Sequence, residues 1–316
     1  QPVDYAYIWG EALAELDRAR PDVRVINLET AITASDDYWR DKGIHYRMHP
    51  ANIACISAAG IDCCVLANNH VLDWGYQGLA DTLETLKQAS MKPAGAGRNN
   101  REAEAPAVIE LAGKGRVLVF GFGCESSGIP LEWAASSDKP GVNRLPDLSS
   151  ETAQRLADRI NLIKQERDIV VASIHWGSNW GYAIPDEQRR FAHRLIDEAG
   201  VDIVHGHSSH HPRAVEVYRD KLILYGCGDF LNDYEGIEGY ESFRGGLAIM
   251  YFPTVNPVDG KLSSLEMVPL QMRQFRLNWP SEEDFRWIRD RLDREADKFG
   301  GAVEALDERR LVLRWR

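Results

Sequence analysis

The sequence has 316 residues, enough for one large α/β domain or two smaller ones, and at 44% hydrophobic and 27% charged it is composed like an ordinary globular protein. Its formal charge of −11 disfavours broad contact with nucleic acid or an anionic lipid surface. No stretch approaches the ~18 consecutive apolar residues of a membrane span.

Strand-like apolar runs alternate with amphipathic helical runs, the pattern of an α/β layered sheet. Residues 6–20 read as a helix with Ala12, Leu13 and Leu16 on one face, and 23–29 as a strand ending in the carboxylate Glu29. A helix over 50–59 starts at Pro50, a favourable first-turn residue. Residues 62–67 are a buried strand that runs into Asn68-Asn69-His70, and 76–90 a helix stopped near Pro93. Residues 116–122 form a strand. The Ser/Pro/Gly-rich stretch 124–150 reads as a long lid or binding loop with a helical turn at Glu132-Trp133. A helix over 151–166 leads to a strand at 168–174 ending in His175-Trp176-Gly177. Residues 186–199 are helical, 201–204 a short strand, and Gly206-His207-Ser208-Ser209-His210-His211 follows it. Residues 215–218 and 221–225 make a hairpin, and 246–253 and 262–271 are the last strands of a domain spanning 1–274. The charged helix 281–299 and the strand-like 310–316 form a C-terminal appendage, 275–316, packed on that domain.

Cys55, Cys63, Cys64, Cys124 and Cys227, an odd set lying in apolar runs, read as reduced core thiols and favour a cytoplasmic location. Gln1-Pro2-Val3-Asp4 carries no signal-peptide pattern, yet the absence of Met leaves room for an upstream signal or anchor.

The chemistry gathers at strand ends: Glu29, Asn69 with His70, His175, and His207 with His210. The carboxyl ends of strands in an open α/β sheet converge on one crevice, so residues distant in sequence meet there. Imidazole, carboxylate and amide oxygen together suit Zn, Mn or Fe better than Ca. Each residue alone has a plainer reading: a hydrogen-bonded strand-end histidine, a helix-capping carboxylate, a turn asparagine. Their joint placement at strand ends, off every predicted helix face, is what points to a metal. Trp176, Asn179, Trp180 and Tyr182 follow His175 and either line a pocket or pack the loop. Asp229 and Glu235, after the strand 222–225, either contact substrate or are solvated. Asp73 reads as a cap for the next helix in preference to a partner of His70, and Arg47 as a salt-bridge residue in preference to an anion contact.

Asn27-Leu28-Glu29, Leu66-Ala67-Asn68-Asn69-His70-Val71-Leu72-Asp73-Trp74-Gly75, Gly95-Ala96-Gly97, Ile174-His175-Trp176-Gly177 and Gly206-His207-Ser208-Ser209-His210 stand in the order seen in CapA proteins. Over roughly residues 5–270 the chain resembles that family, named for poly-γ-glutamate capsule synthesis, which looks like part of the calcineurin-like metallophosphoesterase superfamily. The resemblance implies layered β-sheets flanked by helices and two divalent metal ions, Mn, Fe or Zn. By position it makes Glu29 the bridging carboxylate, Asn69, His175 and His207 ligands of the second metal, and His210 a ligand of the first. His70 becomes the adjacent histidine that stabilises the transition state or protonates the leaving group.

One family feature has no counterpart: an N-terminal strand carrying Gly-Asp and a nearby Arg. Trp9-Gly10-Glu11 lies in a predicted helix and is no substitute, so the chain reads as starting after that strand, with one metal or none. The function implied is a metal-dependent hydrolase acting on a phosphoester of an anionic small molecule or polymer, with biosynthetic-complex partners. The alternatives are an amide hydrolase on γ-glutamyl substrates and a non-catalytic polymer-binding or assembly factor.

Overall fold

In the computed structural model, which describes residues 3–234 and 237–316, alternate side chains of the strands enter different cores. Glu235, with Gln1 and Pro2, lies outside the described residues. Along strand Cys63–Val65, Cys63 and Val65 join one cluster and Cys64 another. Strand Gly115–Gly123 divides likewise: Val117 and Val119 share the cluster of Cys63 and Val65, while Leu118, Phe120 and Phe122 face helices. The shared cluster is the layer where two sheets meet face to face.

The first sheet is parallel, with strands Val25–Asn27, Cys63–Val65 and Lys92–Ala94 in that order. The second runs Val215–Tyr218, Lys221–Leu224, Ile203–His207, Ile169–His175, Gly115–Gly123, Ala107–Leu111. Its middle four strands are parallel and its two outermost antiparallel. Helices Ser150–Ile163 and Asp186–Ala199 cover its outer face through Leu156, Ile160, Phe191 and Leu195. Helices Glu11–Ala19 and Gly75–Gln88 cover the first sheet through Leu16, Leu79 and Leu83.

A third sheet is antiparallel, ordered Leu247–Val255, Leu262–Arg273, Leu311–Trp315, Gly301–Ala305. Helix Glu282–Asp297 packs against it through Phe285, Ile288 and Leu292. This is the layered α/β architecture expected, with sheets inside and helices outside. Within residues 275–316, strands Gly301–Ala305 and Leu311–Trp315 belong to this sheet and Arg276–Asn278 pairs with Leu262–Arg273, with helix Glu282–Asp297 between them.

Several element boundaries differ from the sequence reading. The helix over 6–20 is a 3-10 turn, Tyr7–Trp9, and a helix, Glu11–Ala19, broken at Gly10. Gly10 has φ +46°, and a Cβ there would sit 2.0 Å from Leu277 O. The helix over 50–59 is two short turns, Pro50–Asn52 and Ala54–Ser57. The long loop after Cys124 is pinned by turns Glu125–Ser127 and Leu131–Trp133 and a strand, Gly141–Val142. All five cysteines are free thiols, Cys63, Cys64 and Cys124 buried.

The two central sheets approach closely at a glycine pair. A Cβ on Gly121 would stand 2.8 Å from Gly95 Cα and 2.9 Å from Ala94 O. Gly95 has φ +85°, and its Cβ would meet Ala67 Cβ at 2.7 Å. Both positions need the absence of a side chain.

Candidate metal centre

Beyond this glycine contact, towards the carboxyl ends of the strands, the inter-sheet layer turns polar. Ile169 and Val171 face it, and two residues on so do Ser173 and His175. On the neighbouring strand His207 pairs in register with His175, and His205 with Ser173. From the first sheet come Glu29, two residues past strand Val25–Asn27, and Asn69, four past Cys63–Val65.

Asn68, fully buried, ties these two strand ends together. Its Nδ2 donates to Leu28 O (2.9 Å) and Asn27 Oδ1 (3.0 Å), and its Oδ1 accepts from His70 N–H (3.1 Å). Asn27 Nδ2 in turn donates to Glu29 Oε2 (2.8 Å). The amide chain thus fixes the carboxylate and the Asn69-His70 turn relative to each other.

His175 Nε2 lies 3.1 Å from Asn69 Oδ1 and 3.5 Å from Glu29 Oε1, joining the two sheets. Two ligands bound at ~2.1 Å to one cation, at angles between octahedral and tetrahedral, stand about 3.0–3.4 Å apart. The imidazole and amide, at 3.1 Å, are therefore spaced as neighbouring ligands of one ion, and the carboxylate, at 3.5 Å, stands just outside that span. His207 is adjacent, its Nδ1 2.7 Å from His175 Nδ1.

His210 stands slightly apart. Its Nδ1 is 3.0 Å from both carboxylate oxygens of Asp229, which also accepts from Tyr234 O–H (2.9 Å). Among the described residues no three His, Cys, Asp or Glu side chains are already gathered as a ligating group. The close set is one carboxylate, one amide and a pair of imidazoles.

Electrostatics agree with this donor set. Burial, then the Asp229 charge, push the Glu29 carboxyl up to about 7. A carboxylate so disfavoured calls for positive charge beside it. Burial, with the charges of His70 and His210 adding, holds His175 down at about 3, and burial keeps His207 well below its ordinary value. Both imidazoles are thus neutral, the form that ligates metal. Burial would lower His210 too, but the hydrogen bond and charge of Asp229, with Glu29, hold it above its ordinary value.

His70 sits beside the set with Nδ1 2.7 Å from Asp73 Oδ2. Asp73 also accepts from Tyr46 N–H (2.7 Å) and pairs with Lys42, whose Nζ is 3.0 Å from His70 Nδ1. Helix Gly75–Gln88 has no side-chain cap, so Asp73 orients His70 and the capping expectation is corrected. Arg47 is engaged as read, on Asp36 (3.0 Å) and over the Trp74 ring.

Of the remaining residues singled out from the sequence, Trp180 packs on His210 with ring centroids 5.3 Å apart. Trp176, 1% exposed, is in the helix-side core, its indole N–H donating to Tyr225 O (3.0 Å). One residue past His175 on an alternating strand, it faces away from the site. Asn179 has an exposed side chain and contributes its carbonyl, which accepts from His210 N–H (3.0 Å). Lys42, Tyr46, Tyr234, Ser173 and His205 were not singled out. Period-2 alternation back from His175 and His207 would have found Ser173 and His205; the others arrive on loops without a local signal.

A family model described as bacterial capsule synthesis protein PGA_cap matches residues 1–234. A probable polyglutamine synthesis accessory protein of Mycobacterium tuberculosis is 47% identical over 300 residues, 95% of this chain and 79% of that protein. The capsule biosynthesis protein CapA of Bacillus anthracis is 27% identical over 74% of this chain and 53% of its own length. The PGA biosynthesis protein CapA of Bacillus subtilis is 29% identical over 71% of this chain and 56% of its own length. The family model over residues 1–234 and the 47% identity across 95% of the chain place the chain in the bacterial capsule synthesis protein PGA_cap family.

Proposed function

We propose that the chain is a metal-dependent hydrolase of the phosphoesterase type, acting on an anionic small molecule or polymer in poly-γ-glutamate capsule biosynthesis. The observation that carries this reading is His175 Nε2 facing Asn69 Oδ1 at ligand spacing, with Glu29 Oε1 just outside it and the His70–Asp73 pair alongside.

Glu29, Asn69, His175 and His207 would hold one divalent ion, and His210 with Asp229 would serve a second; Mn, Fe and Zn suit these donors. When bound, such ions supply Lewis acidity towards water and the oxygen under attack. The chain's own residues do the rest. Asp73 takes His70 Nδ1–H, so the proton His70 gives or takes is on Nε2. Burial holds the His70 imidazole below its ordinary value against the pull of Asp73, leaving it neutral until a substrate arrives. The Tyr46 ring, 4.2 Å from that imidazole, shields one face from water.

The test is hydrolysis of bis-p-nitrophenyl phosphate and p-nitrophenyl phosphate by protein stripped of metal and reloaded with Mn, Fe or Zn. We expect chelator-sensitive turnover that H175A abolishes. Absence of turnover with every metal, alongside glutamate release from a γ-glutamyl peptide, would redirect the reading to amide hydrolysis. A second reading, an assembly factor, draws on the word accessory in the name of the mycobacterial relative. It predicts that H175A and H70A chains still support capsule formation in cells, whereas the hydrolase reading predicts that neither does.

A further inference from the structure

Arg213 is 2% exposed, yet most of its guanidinium is unused. Nη2 donates to Ala183 O, while among the described residues Nε and Nη1 have no partner. A guanidinium keeps its charge, so the N–H on Nε and the pair on Nη1 all lack an acceptor. Burial drives the group below its ordinary value against the charge of Glu295, whose carboxylate is itself taken up by Lys298 and, at 3.7 Å, by Arg291. A cation held out of water with no counter-charge in contact is strongly disfavoured. Glycines shape the place. The Arg213 stem crosses Gly226, where a Cβ would fall 2.8 Å from Arg213 Cδ. Its head reaches Gly177, φ +77°, where a Cβ would fall 3.3 Å from Nη1 and 2.5 Å from Gln188 Nε2. Gln188, also 2% exposed, has no partner on Oε1. Turning its amide would offer a neutral acceptor but no counter-charge. Gln188 belongs to the first turn of helix Asp186–Ala199, which has no side-chain cap, so the free amides of that turn add positive potential. The acidic side chains of the turn, Asp186 and Glu187, are exposed.

We propose that Arg213, with Gln188 and the start of helix Asp186–Ala199, forms a binding site for a small monovalent anion of the halide type. One buried guanidinium balances one negative charge, whereas a phosphate or sulfate dianion would bring in a second that Arg213 does not balance. Water offers the N–H groups an acceptor but leaves the charge standing. The anion joins segments that meet nowhere else through charge. Arg213 follows the loop of His207 and His210, and its N–H donates to Gly226 O (2.8 Å). Gly177 follows strand Ile169–His175, and its carbonyl accepts from Ser208 O–H (3.3 Å). A bound halide therefore braces the histidine loop against the helix start, and it needs no metal at the centre to do so.

The experiment melts metal-stripped full chain in sodium chloride, sodium bromide and sodium gluconate at one ionic strength, for wild type, R213M and Q188L. Stripping keeps any halide from binding through a metal, and gluconate is too large for a closed site. Wild type should melt higher in chloride and bromide than in gluconate, with a gain that saturates as chloride replaces gluconate. R213M, which keeps an unbranched side chain without the charge, should melt alike in all three salts. Q188L should need about tenfold more chloride for the same gain. Should R213M not fold, crystals soaked in bromide carry the comparison: anomalous scattering should place a bromide against Arg213 Nε or Nη1. Equal melting of wild type in the three salts, a halide gain that R213M keeps, or maps with no bromide at Arg213 overturns the inference.

Discussion

Asp73 answers to two cations of different kinds, an imidazole that changes charge and the Lys42 ammonium that does not. Its charge holds the proton on His70 Nδ1, so D73N should lower turnover on bis-p-nitrophenyl phosphate by about 100-fold or more while leaving metal content near wild type. Metal analysis beside kinetics checks this, and a proportional loss of both would mean that Asp73 supports the ligands instead. His211 makes a separate prediction. Its Nδ1 donates to Pro212 O (3.0 Å) and its Nε2 accepts from Gly181 N–H (3.1 Å), so the neutral ring is fully used. Burial, with the charges of Arg213, His210 and Arg291 adding, lowers it from 6.5 to about 4. The unfolded chain takes up that proton first as pH falls. Stability is therefore complete above about pH 6.5 and lost towards pH 4. Urea unfolding of stripped protein should show a shallower acid slope in H211Q than in wild type. At this scale the sequence was readable where a strand end delivers one side chain, as at Glu29 and His175. It misled at Trp176, where adjacency to His175 concealed the opposite face, and at Asp73, where the same three-residue spacing suits a cap or a histidine partner. Lys42 could not be read at all, because a loop position is set by tertiary contacts.

Strands matter here chiefly through where they stop. Glu29 and Asn69 belong to one sheet, His175 and His207 to the other, so ligand spacing is a sheet-to-sheet distance. Gly121 and Gly95 set that distance from below. G121A should force the sheets apart, costing about 1–3 kcal/mol of stability as overpacked cores do. It should also weaken Zn binding, although Gly121 touches no ligand. Urea unfolding and calorimetry test the two effects together; lost stability with unchanged affinity would show that the site adjusts independently of sheet spacing. The Ile169–His175 strand and helix Asp186–Ala199 were plain from their periodicity. Strand Gly301–Ala305 was not, because Gly301-Ala302-Val303-Glu304-Ala305 has little apolar alternation and owes its pairing to Leu311–Trp315. Strand Val25–Asn27 came out shorter than its apolar run, since pairing with Cys63–Val65 ends where the asparagine side chains take over.

Across the whole molecule a bound ion would act as a clamp at the polar end of a layer that is apolar below it. Zn at roughly 100 times its Kd should add about 2.7 kcal/mol to the unfolding free energy, reversed by chelation and much reduced in E29A. Thermal melts with and without EDTA measure it. No helix among the described residues is long and apolar enough to cross a membrane. The third sheet carries a further consequence through its strand order. Leu311–Trp315 lies between Leu262–Arg273 and Gly301–Ala305, although it is translated after both. While a nascent chain is shorter than that, Leu262–Arg273 presents an edge that is bare before Gln271, where Arg276–Asn278 begins to pair, and Val303 has no Leu313 opposite it, the situation in which edges pair with strangers. Ribosome-stalled chains ending before residue 311 should thus remain protease-sensitive over 247–273 and bind holdase chaperones, and extension past 315 should release them.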